Sequence, residues 1–269
     1  MEIAKVGDED KSSSLSKRAS VKLKKENEIL FASDIARVGK EDKSSSSPFA
    51  AARVIDQTFL KKGAARGELK RVCEETKKYN FRGLCVYSEH TKAVKKYLAD
   101  TDIKVITLID EPIGSSAHQK RVKMAEDAKK AGTDEADVVM KISDFKNGKY
   151  RDILEDLKEI CKIQPTKVII GSGYLTDEEI KKASEIVKEA GAICVKTATL
   201  EDPLDNTELQ EKAKHVKLMK KSAPGLLIKA SGAIRTLADL EMMLKAGADI
   251  IGTSSGVEIV KEAELKNSR

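Results

Sequence analysis

The sequence predicts an α/β fold, a (β/α)8 TIM barrel, preceded by a poorly structured N-terminal extension. Three observations lead to this prediction. From about residue 49 onwards, eight short apolar runs alternate with eight longer segments of helical character, which is the element order of this barrel. The runs are continuous rather than alternating, as expected of parallel strands that are buried on both faces. Chemically reactive residues gather where the runs end, which is where such barrels place their active sites.

The predicted strands are apolar runs bounded by Gly, Pro or charged residues. In chain order they cover residues 53–58, 83–87, 104–108, 135–140, 167–170, 193–197, 226–230 and 250–252. The predicted helices carry apolar residues at helical spacing, and charged first turns or a following glycine mark several of their ends. They cover residues 67–79, 89–98, 117–131, 150–163, 177–190, 208–222 and 237–246, and a short last helix starts at Ser255.

Residues 1–48 are assigned to the extension, and residues 49–269 to the barrel domain. The extension contains two near-copies of one segment, IAKVGDEDKSSS from Ile3 and IARVGKEDKSSS from Ile35. Serine runs and mixed charge argue against a packed core, and two copies are too few for a solenoid. Residues 20–36 have the composition of a helix, and no secretory signal or transit peptide is expected. A docking role for the repeat remains an open alternative.

Composition excludes several classes of function. The chain has 50 Lys+Arg and 44 Asp+Glu, interspersed, and this formal net charge of +6 weakly favours an anionic ligand without forming a nucleic-acid-binding stripe. No apolar run approaches the roughly 20 residues of a membrane span. The 4 cysteines and 3 histidines are scattered without ligand spacing, so we expect reduced thiols, a cytoplasmic protein and no metal or other cofactor.

Two lysines each end an apolar run. Lys196 lies in AICVKTATL and Lys229 in GLLIKASGAIRT, 33 positions further on, which is about one strand-helix-strand unit. Neighbouring parallel strands would bring both ammonium groups to the same rim. A lysine beside a second cation loses proton affinity and becomes a neutral amine that can attack a carbonyl. Because the chain is rich in lysine, a purely structural interpretation of the pair also stays open.

The other reactive residues at predicted strand ends fit the same chemistry. A carboxylate beside two lysines can carry protons while an amine acts as the nucleophile. The loops SGAIRT and GTSSGV follow the last two strands, and backbone N–H groups in such loops bind phosphate at a helix N-terminus. The alternative is that their small residues only make tight turns. The remaining candidates at strand ends are Asp56, Thr58, Cys85, Asp110, Glu111, Asp137 and Lys141.

At these residues the sequence resembles the deoxyribose-phosphate aldolases, which are class I aldolases. The resemblance covers about residues 53–260 and rests on the stretches VIDQTFLK, GLCVYS, DEADVVM, TKVIIGSGYLTDEE, VKTAT, IKASGAIRT and IGTSSG, in family order. It implies a barrel that reversibly joins acetaldehyde to glyceraldehyde 3-phosphate to give 2-deoxyribose 5-phosphate, without metal or cofactor. It also implies a cytoplasmic homo-oligomer, expected to be a dimer, that acts on a small phosphorylated aldehyde or sugar in deoxyribonucleotide breakdown.

The resemblance implies a role for each matching residue. Lys196 corresponds to the lysine that forms the Schiff base, Lys229 to the second lysine that lowers its pKa, and Asp137 to the aspartate of the proton relay. Further residues correspond to the substrate pocket and the phosphate loops. They are Asp56, Cys85, Thr197, Gly232, Ala233, Gly252, Ser254 and Ser255.

Some positions depart from the family pattern. Leu200, which is followed by Glu201, stands where a glycine is usual, and Ala233 stands where the second glycine of a pair is usual. Asp110 and Glu111 add two negative charges to the third loop, and no tyrosine follows Val260. These departures leave two alternatives open. One is a lysine aldolase with a different acceptor aldehyde, and the other is an aldolase-like binding or scaffold protein with weak or no activity.

Overall fold

A computed structural model of the chain describes residues 47–198, 203 and 208–268. Its eight strands are all parallel and close into one barrel in chain order, with the last strand paired to the first. The predicted (β/α)8 barrel is therefore confirmed. The strands are β1 Ile55–Phe59, β2 Gly83–Tyr87, β3 Lys104–Ile109, β4 Glu135–Val139, β5 Thr166–Ile169, β6 Cys194–Lys196, β7 Leu227–Ser231 and β8 Ile250–Thr253.

Helices precede, connect and follow the strands. They are α1 Pro48–Val54, α2 Arg66–Tyr79, α3 Ser88–Tyr97, α4 His118–Lys130, α5 Ile142–Lys146, α6 Tyr150–Ile163, α7 Asp177–Glu189, α8 Leu209–Ser222, α9 Leu237–Ala246 and α10 Gly256–Asn267. A 3₁₀ turn at Ser172–Tyr174 lies between β5 and α7. No helix in the described part of the chain is long and apolar enough to cross a bilayer.

The first predicted strand was wrong at its start. Residues 53 and 54 lie in the last turn of helix α1, and β1 begins only at Ile55. The cause is local, because Ser47 accepts a hydrogen bond from the Ala50 N–H (3.1 Å) and Pro48 occupies the first helical position, two strong helix-start signals. The repeat and the predicted helix over residues 20–36 lie outside the described residues.

The barrel has one apolar layer outside its strands. Strand residues that point outwards, such as Val195 on β6 and Ile228 on β7, pack against apolar residues of the helices, such as Val216 on α8 and Leu240 on α9, in the largest core cluster. Continuous apolar runs are required here because alternate residues face either the helices or the barrel interior. The helices thus hold the strand ends, and the side chains that follow them, in fixed positions.

A fully buried arginine braces the third loop. Arg121 on α4 donates to Asp110 Oδ2 (2.5 Å), to Asp156 Oδ2 on α6 (2.9 Å) and to the carbonyl of Val139 (2.8 Å). A buried guanidinium is tolerated because two carboxylates and a carbonyl satisfy its donors. The arginine joins two helices, one strand end and the loop after β3.

His118 makes the stability of this region depend on pH. Its ring contacts Asp156 Oδ1 (2.9 Å) and Glu159 Oε2 (3.0 Å), and the hydrogen bond with Asp156 is the main cause that raises the pKa of the histidine. A raised folded pKa stabilises the protein below the unfolded value of about 6.5, and this contribution disappears as pH rises through the folded pKa. We expect His118→Gln to lower the free energy of unfolding more at about pH 5.5 than at about pH 8.5, by less than about 1 kcal/mol at this half-exposed site. Urea titrations at both pH values check this, and an equal loss at both would contradict it.

Candidate active site

Strands β6 and β7 place the two predicted lysines side by side. Lys196 and Lys229 are partners in the register of these strands, and both side chains point into the barrel. Lys229 is fully buried, whereas Lys196 keeps 5% of its surface exposed. Of the two amines, Lys196 is therefore the one that solvent and a small substrate can reach from the mouth of the barrel.

A carboxylate lies between the two ammonium groups. Asp137 Oδ2 accepts hydrogen bonds from Lys196 Nζ (2.7 Å) and from Lys229 Nζ (2.9 Å). Lys229 also donates to Asp56 Oδ2 (2.6 Å). The structure thus brings together the three residues to which the sequence assigned catalytic roles, and it adds Asp56 as a second partner of Lys229.

The charges of these groups follow from their surroundings. Burial alone would raise the pKa of Asp137, but the ammonium groups of Lys167, Lys196 and Lys229 hold this pKa well below its usual range. Burial would lower the pKa of Lys229, but the carboxylates of Asp137 and Asp56 outweigh it and raise this pKa. Lys229 is consequently a permanent cation, as required of a residue that acts on its neighbour through positive charge.

Three charged residues beneath the lysines were not predicted. Lys167 Nζ lies 2.7 Å from Glu135 Oε2 and 2.8 Å from Asp137 Oδ1. Arg82 contacts Asp56 (2.7 Å) and Glu135 (2.7 Å). The sequence did carry one signal, since Glu135 and Asp137 are two positions apart in a strand and must point to the same face. A charge at a strand start was instead interpreted as a boundary.

The buried cluster has more positive than negative groups. Its cations are Arg82, Lys167, Lys196 and Lys229, and its carboxylates are Asp56, Glu135 and Asp137. With Lys196 neutral, the remaining charges balance. Among the three lysines of this cluster, Lys196 has the fewest contacts with carboxylates of the described residues, one against two for Lys229 and three for Lys167. The network therefore tolerates a neutral amine at Lys196 better than at the other lysines.

Cys85 and its apolar neighbours form another part of the interior. The Cys85 Sγ lies 3.9 Å from Asp137 Oδ2, and burial raises the pKa of this thiol to about 11. The thiol is thus protonated at neutral pH and is no nucleophile. Cys85 packs in one cluster with Leu108, Val139 and Ile169. These side chains give the pocket an apolar region that suits the carbon skeleton of a small aldehyde.

The loop after β7 adopts an unusual backbone. Gly232 and Ala233 have φ values of 90° and 59°, so alanine adopts the left-handed conformation where a second glycine is usual. Gly252 in β8 is required for a different reason, because a Cβ atom there would lie 2.9 Å from Lys229 Cε. This glycine makes room for the second lysine beside the predicted phosphate loops.

Side chains tie the two candidate phosphate loops together. Thr253 Oγ1 donates to the carbonyl of Ile234 (2.6 Å) and accepts from the Ser255 N–H (2.9 Å). Gln57 in β1 donates to the carbonyl of Ser254 (3.2 Å) and accepts from the Gly256 N–H (3.2 Å). The loops after β7 and β8 are therefore one preformed unit at the end of the barrel.

The Thr197 hydroxyl is bonded to the backbone of the neighbouring strand. Its hydroxyl donates to the carbonyl of Ser231 (3.0 Å) and accepts from the Ser231 N–H (2.9 Å), and the residue is fully buried. These bonds join the ends of β6 and β7. Thr197 thus braces the strands that carry the lysines, and its assignment to the substrate or phosphate pocket stays a prediction.

The two acidic residues of the third loop are both paired. Asp110 is buried against Arg121, and Glu111 lies 3.1 Å from Lys62 Nζ. The two negative charges that the sequence adds to this loop thus each have a cation beside them. Leu200 and Glu201, the other departures at the rim, lie outside the described residues.

One cluster of metal-ligand type lies outside the barrel. The ligand atoms of Asp177, Glu211 and His215 lie within 4.8 Å of one another. Lys214 Nζ, however, contacts Asp177 (2.9 Å) and Glu211 (2.9 Å) and so already compensates both carboxylates. Among the described residues, the two carboxylates and Lys214 thus form a partly exposed ion-pair network on helices α7 and α8, beside the buried His215.

The fold and this site together define a lysine-dependent class I aldolase, a carbon–carbon lyase. No protein-family model matches the chain. A deoxyribose-phosphate aldolase from Caldanaerobacter subterraneus subsp. tengcongensis is 40% identical over an alignment of 218 residues, and the match covers 78% of this chain and 92% of the relative. The chain belongs to the deoxyribose-phosphate aldolase family.

Solved structures agree with this membership. An aldolase named QR15 is similar with a TM-score of 0.74 and 37% identity, over 81% of this chain and 97% of its own. A tetrameric deoxyribose phosphate aldolase from Aeropyrum pernix is similar with a TM-score of 0.73 and 25% identity, over 88% of this chain and 99% of its own. The family named from the sequence resemblance is thereby confirmed.

Proposed function

We propose that this protein is a deoxyribose-phosphate aldolase that cleaves 2-deoxy-D-ribose 5-phosphate reversibly into glyceraldehyde 3-phosphate and acetaldehyde through a Schiff base on Lys196. The observation that carries the proposal is the contact of Lys196 Nζ with Asp137 Oδ2 (2.7 Å) beside the buried cation Lys229. This arrangement supplies a nucleophile, a proton carrier and a fixed positive charge within one pocket.

The chemistry follows from these positions. The neutral Lys196 amine adds to the C1 aldehyde of the open-chain sugar phosphate, and uptake of one proton with loss of water gives a protonated imine. The imine withdraws electrons while the C2–C3 bond breaks, so the C3 hydroxyl loses its proton, glyceraldehyde 3-phosphate leaves and an enamine stays on Lys196. Protonation of the enamine carbon and hydrolysis then release acetaldehyde. Asp137 is the carboxylate within hydrogen-bonding distance of the nitrogen, and we assign it the proton transfers.

The phosphate of the substrate is assigned to the unit formed by the loops after β7 and β8. Gly232, Ala233 and Ser254 supply backbone N–H groups next to the N-termini of helices α9 and α10, where partial positive charge favours an anion. Ser255, whose own N–H donates to Thr253 Oγ1, is assigned to the lining of the same unit. The apolar region around Cys85 faces the carbon chain instead. Because Asp110 and Glu111 are paired, this pocket offers no particular support for a non-phosphorylated acceptor.

Borohydride trapping tests the proposal. The protein is incubated with acetaldehyde, reduced and digested, and the modified peptides are identified by mass spectrometry. We expect an ethyl group on Lys196 in high yield and little modification of Lys141, which follows strand β4 and pairs with Asp144 (3.2 Å). Equal labelling of both lysines, or none at Lys196, would rule out the Schiff-base assignment.

A comparison of a phosphorylated with an unphosphorylated sugar tests which acceptor aldehyde the enzyme prefers. We expect kcat/KM to be much higher for 2-deoxyribose 5-phosphate than for 2-deoxyribose, because only the ester can use the loop N–H groups. A preference for the unphosphorylated sugar would favour a lysine aldolase with a different acceptor. Trapping without turnover of either sugar would favour the binding or scaffold alternative.

We further propose that the enzyme works as a homodimer in the cytoplasm. The scattered cysteines, Cys73, Cys85, Cys161 and Cys194, are all free, which is compatible with a reducing compartment. Light scattering of the purified protein measures the oligomeric state directly. A tetramer, as named for the Aeropyrum relative, would contradict the proposed dimer.

A further inference from the structure

A buried lysine outside the catalytic cluster contacts the candidate phosphate loop from behind. Lys212 lies in the first turn of helix α8, and its side chain is fully buried. Its Nζ donates to the carbonyls of Ser231 (3.0 Å) and Gly232 (2.8 Å). A lysine ammonium is rarely buried unless polar partners compensate it, so this placement has a cost that an apolar side chain would avoid.

The contact fixes the direction of two peptide groups. The described residues contain a single cis peptide bond, Glu111–Pro112, so the peptides that follow Ser231 and Gly232 are trans. In a trans peptide the C=O and N–H groups point in opposite directions. Because both carbonyls point at Lys212, the N–H groups of Gly232 and Ala233 point away from helix α8. Two successive N–H groups that point the same way form an anion-binding concavity.

The ammonium also adds charge to this concavity. A phosphate bound on the far side of the two peptides would lie about one peptide width beyond the carbonyls that Lys212 contacts. At that distance, within a partly buried site, one unit charge changes the affinity of an anion by about 10- to 50-fold. The peptide dipoles are aligned with the field of the ammonium and contribute in the same direction.

We propose that Lys212 is a positioning residue that determines the preference of this enzyme for phosphorylated substrates. It orients the N–H groups of Gly232 and Ala233 and supplies positive charge behind them, without contacting the substrate. The inference rests on the proposed aldolase function and deepens it. It assigns phosphate affinity to a helix residue that no phosphate-loop sequence motif includes.

The test compares Lys212→Gln and Lys212→Met with the matched control Lys214→Gln. Gln keeps hydrogen-bond donors but loses the charge, and Met loses both, so Gln also serves if the Met variant fails to fold. Lys214 lies two residues further along the same helix and is half-exposed in surface ion pairs. For each variant, kcat and KM are measured with 2-deoxyribose 5-phosphate and with 2-deoxyribose, together with inhibition by inorganic phosphate.

We expect Lys212→Gln to raise KM for the phosphate ester and the inhibition constant of phosphate by about 10- to 50-fold. Its kcat, its kcat/KM for 2-deoxyribose and its trapping with acetaldehyde should stay within about twofold of the unmodified enzyme, and Lys214→Gln should match that enzyme throughout. Unchanged phosphate inhibition, or equal losses on both sugars, would overturn the inference. Failure of the unmodified enzyme to trap acetaldehyde at Lys196 would instead overturn the proposed function.

Discussion

The Lys196→Met enzyme is expected to lose retro-aldol turnover by at least about 10⁴-fold and to show no borohydride-trapped adduct with acetaldehyde. The methionine side chain is of similar length but has no primary amine to form an imine, so the covalent route disappears with the amine. Lys229 cannot replace it, because its ammonium is fully buried and the carboxylates of Asp56 and Asp137 raise its pKa. Turnover of 2-deoxyribose 5-phosphate and mass mapping after reduction measure the two effects.

The matched control for this variant is Lys141→Met. This lysine lies after strand β4 and pairs with Asp144, outside the buried charge cluster. We expect its kcat to stay within about threefold of the unmodified enzyme, because a partly exposed ion pair contributes little. Substantial turnover by Lys196→Met would place the nucleophile elsewhere, and labelling of another lysine in the same experiment would identify it.

The Glu135→Gln protein is expected to be less stable by about 3–5 kcal/mol, because the substitution leaves buried cations without a partner. Glu135 is buried and contacts Lys167 (2.7 Å) and Arg82 (2.7 Å), so its neutralisation increases the excess of positive charge inside the barrel. For a domain of this size the loss corresponds to a fall in the melting temperature of about 10 °C. Scanning calorimetry and urea unfolding measure it.

Glu155→Gln provides the comparison. Glu155 is exposed on helix α6 and pairs with Arg151 (3.0 Å), four residues earlier in the same helix. Its neutralisation should change the free energy of unfolding by less than about 0.5 kcal/mol. A similar small change for Glu135→Gln would mean that water or a protonation change compensates the interior charges, and that the buried network contributes little to stability.

Local sequence patterns were sufficient to predict most of the strands and helices of the barrel. The strands were predicted because buried parallel strands must be apolar on both faces, and Lys196 and Lys229 stood out because each interrupts such a run at its end. The first strand was placed too early because the helix-start signals at Ser47 and Pro48 were not used. Helix α5, Ile142–Lys146, was not predicted, since five residues are too few to show a helical period.

Contacts between distant residues account for what the sequence did not indicate. Arg82, Glu135 and Lys167 lie at or before strand starts, where a charge is ordinarily solvated, and only barrel closure brings them together beneath the lysines. Likewise, Lys212 has the sequence pattern of a solvated helix residue, yet its helix packs so that the ammonium contacts the loop after β7.

The sequence by itself determined the fold class and the family, and it predicted the roles of Lys196, Lys229 and Asp137. The fold class depends on periodicity and on residues at strand ends, whereas the family and the roles depend on the matching motifs, and a single chain displays all of these directly. Only the tertiary structure decided how the charges are partnered: a carboxylate between the lysines, further cations and carboxylates below them, Asp110 against Arg121, and Lys212 behind the candidate phosphate loop. The reason is physical. The state of a buried charge depends on groups within a few ångströms, and those groups come from strands and helices far apart in the chain.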